Sequence, residues 1–368
     1  MNNRILMAFL QRTVFIIVVL GIPCQGYAAE YLYLASGDTI AVKAIDQQTG
    51  TLRDHQIVNL DGAGPMTFSP DHTFLYIVAK LPGSQKPFSI ATYRIEDDAK
   101  LTLVHNAPIP MRTTYLQTNA KGDFLIGNHY KYGKMSVWKL SKGVYEGEIV
   151  QEILLEKQTH SAVFSQDSRY ILVPATGPNK VFQITFDANS GKVALNTPTF
   201  ASGPTIGARE PRHLVFNRQL DIAYTTQERM HPGVATWTWD SEKGLLKLTQ
   251  NIVTTKENVK SISTADLHIT PNNQFLYISS RDDEHQRDSI IFFKIDPKDG
   301  HLSLINHFPS EHFPRSFCIS KSGKFLYVAG QGDARLGVYK IHPDTGYLKK
   351  ITQYQTGARP TWVTTLVR

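Results

Sequence analysis

One histidine, one glutamate and three arginines recur at matched positions in successive stretches of the chain. They are His160, Arg212, Glu228, Arg281 and Arg315; Gln331 occupies a further matched position, and Asp266 and His268 adjoin another. Each matched residue stands four places before or twelve after the start of a short polar turn. Converging guanidiniums bind a planar carboxylate or phosphate through paired hydrogen bonds, and they can hold the oxyanion that develops on an ester carbonyl. Glu228 or His160 would then take the proton of an attacking water, or donate one in the ring-closing direction. A solvated channel lining without a catalytic task competes with this reading for any single residue, but less well for the cluster. Glu228, Asp266 and His268 are also of metal-ligating type, yet three cations close by oppose a divalent ion, so no metal is expected. No HExxH, paired CxxC, Walker loop or nucleophile elbow accompanies the cluster, and no organic cofactor is expected.

The elements that must position these residues are short strands. Six segments share an apolar strand, a polar turn and a second apolar strand, beginning at Phe68, Thr118, Phe164, Phe216, Ile269 and Ile319, with spacings of 50, 46, 52, 53 and 50 residues. Pro, Asp, Asn and Gly cluster at the turns, and β-branched and aromatic residues flank them, as hairpins require. A third alternating stretch follows each hairpin, as in Val234 to Trp239, then a second turn and a fourth strand, as at Gly50-Thr51-Leu52 and Gly300-His301-Leu302. That second turn occurs seven times, and no helical period is present anywhere. The pattern predicts an all-β, seven-bladed propeller of four-stranded antiparallel blades.

Six hairpins against seven second turns are reconciled by the chain ends. The strand Glu30 to Ala35 lacks a predecessor and Arg359 to Thr365 lacks a successor, so the two complete one blade and close the ring. The first strand of each blade lines the channel. Gly64, Thr114, His160, Arg212, Ala265, Arg315 and Thr361 are therefore expected at one mouth, beside Lys80, Tyr130, Thr176, Glu228, Arg281, Gln331 and Gly37 from the second strands. Glu228 and Arg281 are expected to face a wet channel.

Residues 1–28 carry Arg4 and Arg12, an apolar run of about ten residues from Val14, a break at Pro23 and small residues at Gly26 and Ala28. This is the grammar of a secretory signal peptide, and it is too short for a membrane span, which needs about 20 residues. Residues 29–368 are expected to form the propeller and to be periplasmic or secreted, without stable membrane insertion. That portion has a formal charge of +5, from 37 basic and 32 acidic side chains. No basic run exceeds Lys349-Lys350, which argues against nucleic-acid binding. It keeps one cysteine, Cys318, in an apolar strand where a buried, inert thiol is expected. A monomer that takes a small anionic lactone is the expected working unit.

The blocks Thr159-His160-Ser161-Ala162, Pro211-Arg212-His213-Leu214-Val215-Phe216, Ala265-Asp266-Leu267-His268-Ile269-Thr270-Pro271, Pro314-Arg315-Ser316-Phe317 and Pro360-Thr361-Trp362-Val363 resemble the propeller-type 6-phosphogluconolactonase family. That family also contains the fungal carboxy-cis,cis-muconate cyclases. The resemblance runs in order over nearly all of residues 29–368. It implies lactone hydrolysis or formation without metal or organic cofactor, with His160, Arg212, Glu228 and Arg281 as the counterparts of the quartet proposed for the cyclases. Asp266, His268, Arg315 and Gln331 are expected to bind substrate. The export signal departs from members that serve cytoplasmic sugar-phosphate metabolism and argues against the phosphate ester as the natural substrate. Two alternatives stand beside lactone hydrolysis: a lactonising cyclase, and a non-catalytic envelope propeller that binds a ligand or protein. The polar loop Asp282 to Asp288 favours the last.

Overall fold

In the computed structural model the alternating segments among the described residues become 28 strands in seven separate sheets of four, each sheet antiparallel. The structure describes residues 28–368 apart from 82, 84, 86 and 256–259; the expected leader lies outside them except for Ala28. The blades are numbered here from the one that closes the ring. Their innermost strands are Pro360–Val367, Met66–Phe68, Leu116–Thr118, Val163–Phe164, Arg209–Asn217, Ile262–Ile269 and Pro314–Ile319 for blades 1 to 7. No helix among the described residues is long and apolar enough to cross a membrane.

The turn after each innermost strand is built from its own side chains. Ser69, Ser165, Thr270 and Ser320 accept the backbone N–H five residues on through their hydroxyl oxygens, at 2.9 to 3.1 Å, and Asn119 does the same through Oδ1 at 2.9 Å. Such local acceptors stop a strand and start its return. Neighbouring blades are then stapled by tyrosines of the second strands. Tyr76, Tyr224, Tyr277 and Tyr327 donate to the carbonyls of Gly143, Gly300, Gly346 and Gly50 at the outer turn of the next blade, at 2.6, 2.7, 2.6 and 3.1 Å. Gly50 must be glycine, because its φ is +76° and a Cβ would run into the Phe325 ring.

The apolar core sits between blades rather than in one centre. Trp237 of blade 5 packs with Leu172 and Val181 of blade 4, and Phe317 of blade 7 with Tyr277 and Phe292 of blade 6. Each such side chain contributes about 1.5 to 3 kcal/mol on burial, while the outermost strands alternate towards solvent, as in Leu348–Gln355. The ring closes as the chain ends predict: Pro360–Val367 pairs with Glu30–Ser36, from Glu30 opposite Val367 to Ser36 opposite Pro360. Arg368 extends the closure by donating to the carbonyl of Ile95 at 2.7 Å and that of His72 at 3.3 Å, both in blade 2. Cys318 is a buried free thiol, and burial pushes its pKa well up.

Candidate active site

Innermost strands enter the ring through a bent backbone. Gln158, Glu210, Phe313 and Arg359 take φ of +67°, +72°, +55° and +52°, and Gly62 takes +68°, each two residues before the channel position of its blade. A left-handed residue is costly for a non-glycine side chain; its recurrence in blades 1, 2, 4, 5 and 7 marks it as a shared device for turning the chain into the channel. In three of these blades Pro211, Pro314 or Pro360 follows and fixes the next φ. The channel positions then bond from blade to blade. Thr114 Oγ1 donates to the His160 carbonyl at 3.0 Å, Ser161 Oγ to that of Arg212 at 3.1 Å, and Arg212 Nη1 to that of Ala265 at 2.7 Å.

At this mouth Glu228 receives two guanidiniums on one oxygen. Arg281 Nη2 donates to Oε1 at 2.8 Å, and Arg212 Nε stands 3.3 Å from the same atom. All three side chains are buried, Glu228 at 8 %, Arg281 at 2 % and Arg212 at 1 % residual exposure, so the expected wet lining is instead a packed ion cluster. Phe313 covers the face of Arg281, with its ring centroid 4.9 Å from the guanidinium carbon, a cation–π arrangement. Half-buried Arg315 adds a third positive charge. Gln331 lies at the same end, with its N–H on the Phe313 carbonyl at 3.0 Å.

The three guanidiniums around Glu228, with Glu210 and Asp266 within electrostatic reach, set the electrostatics. Burial depresses the Arg212 pKa to about 9, and the Arg281 and Arg315 charges add to the effect. Burial and Arg281 likewise bring Arg315 down to about 10. Burial would raise the Glu228 pKa, but Arg212 and Arg281 outweigh it and hold the carboxyl below its usual value. A carboxylate so clamped stays ionised and committed to the two guanidiniums. His160 is buried, and desolvation together with Arg212, His213, Arg315 and Arg281 pushes its pKa well down, so its imidazole is neutral near pH 7. His160 Nδ1 and Arg281 Nε are buried without a hydrogen-bond partner in the protein, and Arg212 Nε has only its ion-pair contact with Glu228.

Asp266 and His268 do not join this cluster. Asp266 is buried and turned to the opposite side of the channel, where Oδ1 lies 2.9 Å from His213 Nδ1 and Oδ2 lies 3.4 Å from His268 Nε2. It also accepts the N–H of Leu267 at 3.0 Å and of Phe317 at 3.3 Å. Burial opposes its ionisation, but the contacts with His268 and His213 prevail and hold its pKa well below the usual carboxylate range. The physical reason for the displacement is a pair of β-bulges, between Pro211 and Leu214 and between Thr264 and Leu267, which break the two-residue alternation of both strands. Among the described residues no group of three or more His, Cys, Asp or Glu side chains is arranged to hold a metal, so Glu228, Asp266 and His268 do not form one.

Sequence reasoning missed His213. Its ring packs against His160 at a centroid distance of 4.9 Å, its Nδ1 is held by Asp266, and its Nε2 is buried without a partner. The one available signal was its place directly after Arg212. Tyr115 and Trp362 were also missed, and both rings contact His213, with centroids at 5.7 and 6.3 Å.

Residues 25–365 match the family described as "Lactonase, 7-bladed beta-propeller". The chain is 32 % identical over 318 residues to a 6-phosphogluconolactonase of Enterobacter sp. (strain 638), covering 85 % of this chain and 92 % of that protein. It is 32 % identical over 337 residues to the 6-phosphogluconolactonase of Cronobacter sakazakii, with 90 % and 97 % covered. Among solved structures, the periplasmic gluconolactonase of Pseudomonas aeruginosa superposes with a TM-score of 0.82 at 22 % identity, covering 92 % of this chain and 99 % of that one. With ring, channel cluster and these likenesses in agreement, the chain belongs to the seven-bladed β-propeller lactonase family.

Proposed function

We propose that this protein is an exported lactonase that hydrolyses an anionic, sugar-like lactone at the arginine-lined mouth. The observation that carries the reading is the gathering of three guanidiniums at one mouth: Arg212 and Arg281 clamp the Glu228 carboxylate and Arg315 stands within its electrostatic reach. Burial first, and the neighbouring guanidiniums next, depress the Arg212 and Arg315 pKa values, and an anionic ligand would offset that accumulated charge. The relatives named 6-phosphogluconolactonase and periplasmic gluconolactonase support the lactone ring as the reacting group. Export rests on the leader grammar of residues 1–28 and on the periplasmic relative.

In this mechanism the guanidiniums of Arg281 and Arg315 hold the substrate's anionic group. Arg212, fixed by the Ala265 carbonyl and Glu228, presents its charge to the developing oxyanion. Neutral His160 takes the proton as water adds to the ring carbonyl, then gives it to the alkoxide when the ring C–O bond breaks. Glu228 orients the two arginines rather than carrying the proton. The test follows acid release from D-glucono-1,5-lactone and from its 6-phosphate, above the spontaneous rate. His160→Gln is expected to lower kcat by about 100-fold or more. Arg281→Lys should raise KM for the phosphorylated lactone more than for the neutral one. Absence of any acceleration by the wild-type protein on either lactone would overturn the reading.

A further inference from the structure

The channel is divided. Tyr115, His213 and Trp362 come from blades 3, 5 and 1 and meet across the axis, with ring centroids 5.7 Å apart for Tyr115 with either partner and 6.3 Å for His213 with Trp362. The three rings form a septum. On its far side a cavity of about 1080 Å³ opens at the turn end of the blades, and none of His160, Arg212, Glu228, Arg281 or Arg315 lines it. That volume is at the upper end of the usual size of small-molecule sites, roughly 300 to 1,000 Å³.

We propose that this turn-side chamber is a second ligand site, built for a neutral hydroxylated ring such as a free sugar. Its floor offers the half-buried faces of Tyr115 and Trp362, and aromatic faces of this kind pack against the C–H face of a pyranose. Above them His268 keeps 39 % of its side chain exposed, and with Nε2 directed at Asp266 its Nδ1 is left for a hydroxyl. The Asp266 carboxylate fixes that orientation, since it is anionic, buried and held by two backbone N–H groups.

Charge separates the two chambers in kind. The lining of the turn side carries two arginines against three aspartates, one of them Asp266, and Arg169 is already paired with Asp167. It has no cationic excess to attract the anion that suits the arginine mouth. Around the aromatic floor the wall is lined largely by hydroxyl- and amide-bearing side chains, which suit an uncharged, hydroxylated ligand.

Binding is tested without reference to turnover, so its failure is distinguishable from failure of the lactonase reading. D-glucose, a neutral ring that cannot be hydrolysed, is titrated into the purified protein while tryptophan fluorescence and proton saturation-transfer signals are recorded. A saturable change in the millimolar range is expected, weakened about tenfold in His268→Ala and unaffected by Arg281→Lys. The fluorescence change, though not the saturation transfer, should vanish in Trp362→Phe. No saturation below about 100 mM glucose would overturn the proposal. So would binding lost in Arg281→Lys but kept in His268→Ala, which places the ring in the other chamber, or saturation by tetramethylammonium in place of glucose, which makes the aromatic floor a cation site.

Discussion

The two ends of the channel are made from the same seven innermost strands and yet differ in regularity. At the turn end, Ser69, Asn119, Ser165, Thr270 and Ser320 repeat one hydrogen bond in five blades. At the entry end the positions in register with one another are Gly64, Thr114, His160, Arg212, Ala265, Arg315 and Thr361, and no two neighbouring blades carry the same side chain. The regular end defines the blade, and the irregular end holds the buried ion cluster. Repetition serves folding; departure from it, in the side chains at the entry positions and in the bulges beside them, is where the ion cluster is placed.

The strongest way to break this division is to remove the strand that belongs to both ends. Ending the chain after Tyr354 deletes Pro360–Val367, which closes blade 1 and supplies Trp362 to the septum. It exposes the strand Glu30–Ser36 as an unpaired edge and, by removing the buried Val363 and Leu366, uncovers the Leu32, Tyr33 and Leu34 side chains that pack with them. A loss of several kcal/mol is expected, at about 1.5 to 3 kcal/mol per large apolar side chain. In a thermal melt the truncated protein should lose its cooperative transition near the wild-type midpoint, and an unchanged midpoint would reject this closure.

Second in size is Glu228→Gln. The amide keeps the shape but leaves Arg212 and Arg281 without their counter-charge, and breaking one partner out of a buried pair costs about 3 to 5 kcal/mol. The Glu228 pKa is lowered in the folded protein, so its stabilisation is full above the unfolded carboxylate value and is lost as pH falls through the folded one. Denaturant melts should therefore show a wide gap between wild type and variant at pH 7 that narrows only in strong acid. Equal stability at pH 7 would show the cluster to be solvated after all.

Much of this was legible in the sequence, for physical reasons. Turn chemistry and outer-turn glycines recur at fixed offsets, so blade number and ring closure follow from local patterns. Arg212 and Glu228 are sixteen residues apart on one hairpin, which places them together by register alone, and their ion pair in the structure agrees. Asp266 does adjoin Ala265 on its strand, but the direction of its side chain was not legible, because a bulge is invisible to period counting. His213 escaped for the same reason. Trp362 read correctly as part of a closing strand, but its meeting with rings from blades 3 and 5 is set by the diameter of the whole ring and has no local signature. Phe313 lies before its strand on a loop, where no alternation applies.

A smaller effect tests the septum itself. Burial first, then Arg212, depresses the His213 pKa to about 4, so between that value and the unfolded value near 6.5 the unfolded chain binds more protons than the folded one. Stability therefore rises with pH across this window and declines on acidification from about pH 6.5. His160 contributes in the same direction. The loss for His213 is on the order of 1 to 3 kcal/mol. Melting wild type and His213→Gln at intervals from pH 7 to 4.5 should give a shallower decline for the variant. Parallel curves would mean that His213 is free to take up its proton within the fold.

The smallest expected effect separates the chambers by ionic strength alone. At the arginine mouth an anionic lactone is drawn by an excess of positive charge, and part of that attraction acts before contact, through water. Raising salt shortens the Debye length from about 10 Å at 0.1 M towards 3 Å at 1 M, which screens the approach while leaving short, buried contacts nearly intact. KM for a phosphorylated or carboxylated lactone should thus rise a few-fold between about 0.05 and 0.5 M sodium chloride, with kcat little changed. Glucose binding at the turn side involves an uncharged ring, Asp266 is sealed from solvent by His213 and His268, and Arg169 is paired with Asp167. Its dissociation constant should stay constant over the same range. If both constants shift together, the two chambers share one electrostatic environment and the septum does not divide them; if neither shifts, the arginines act only on contact.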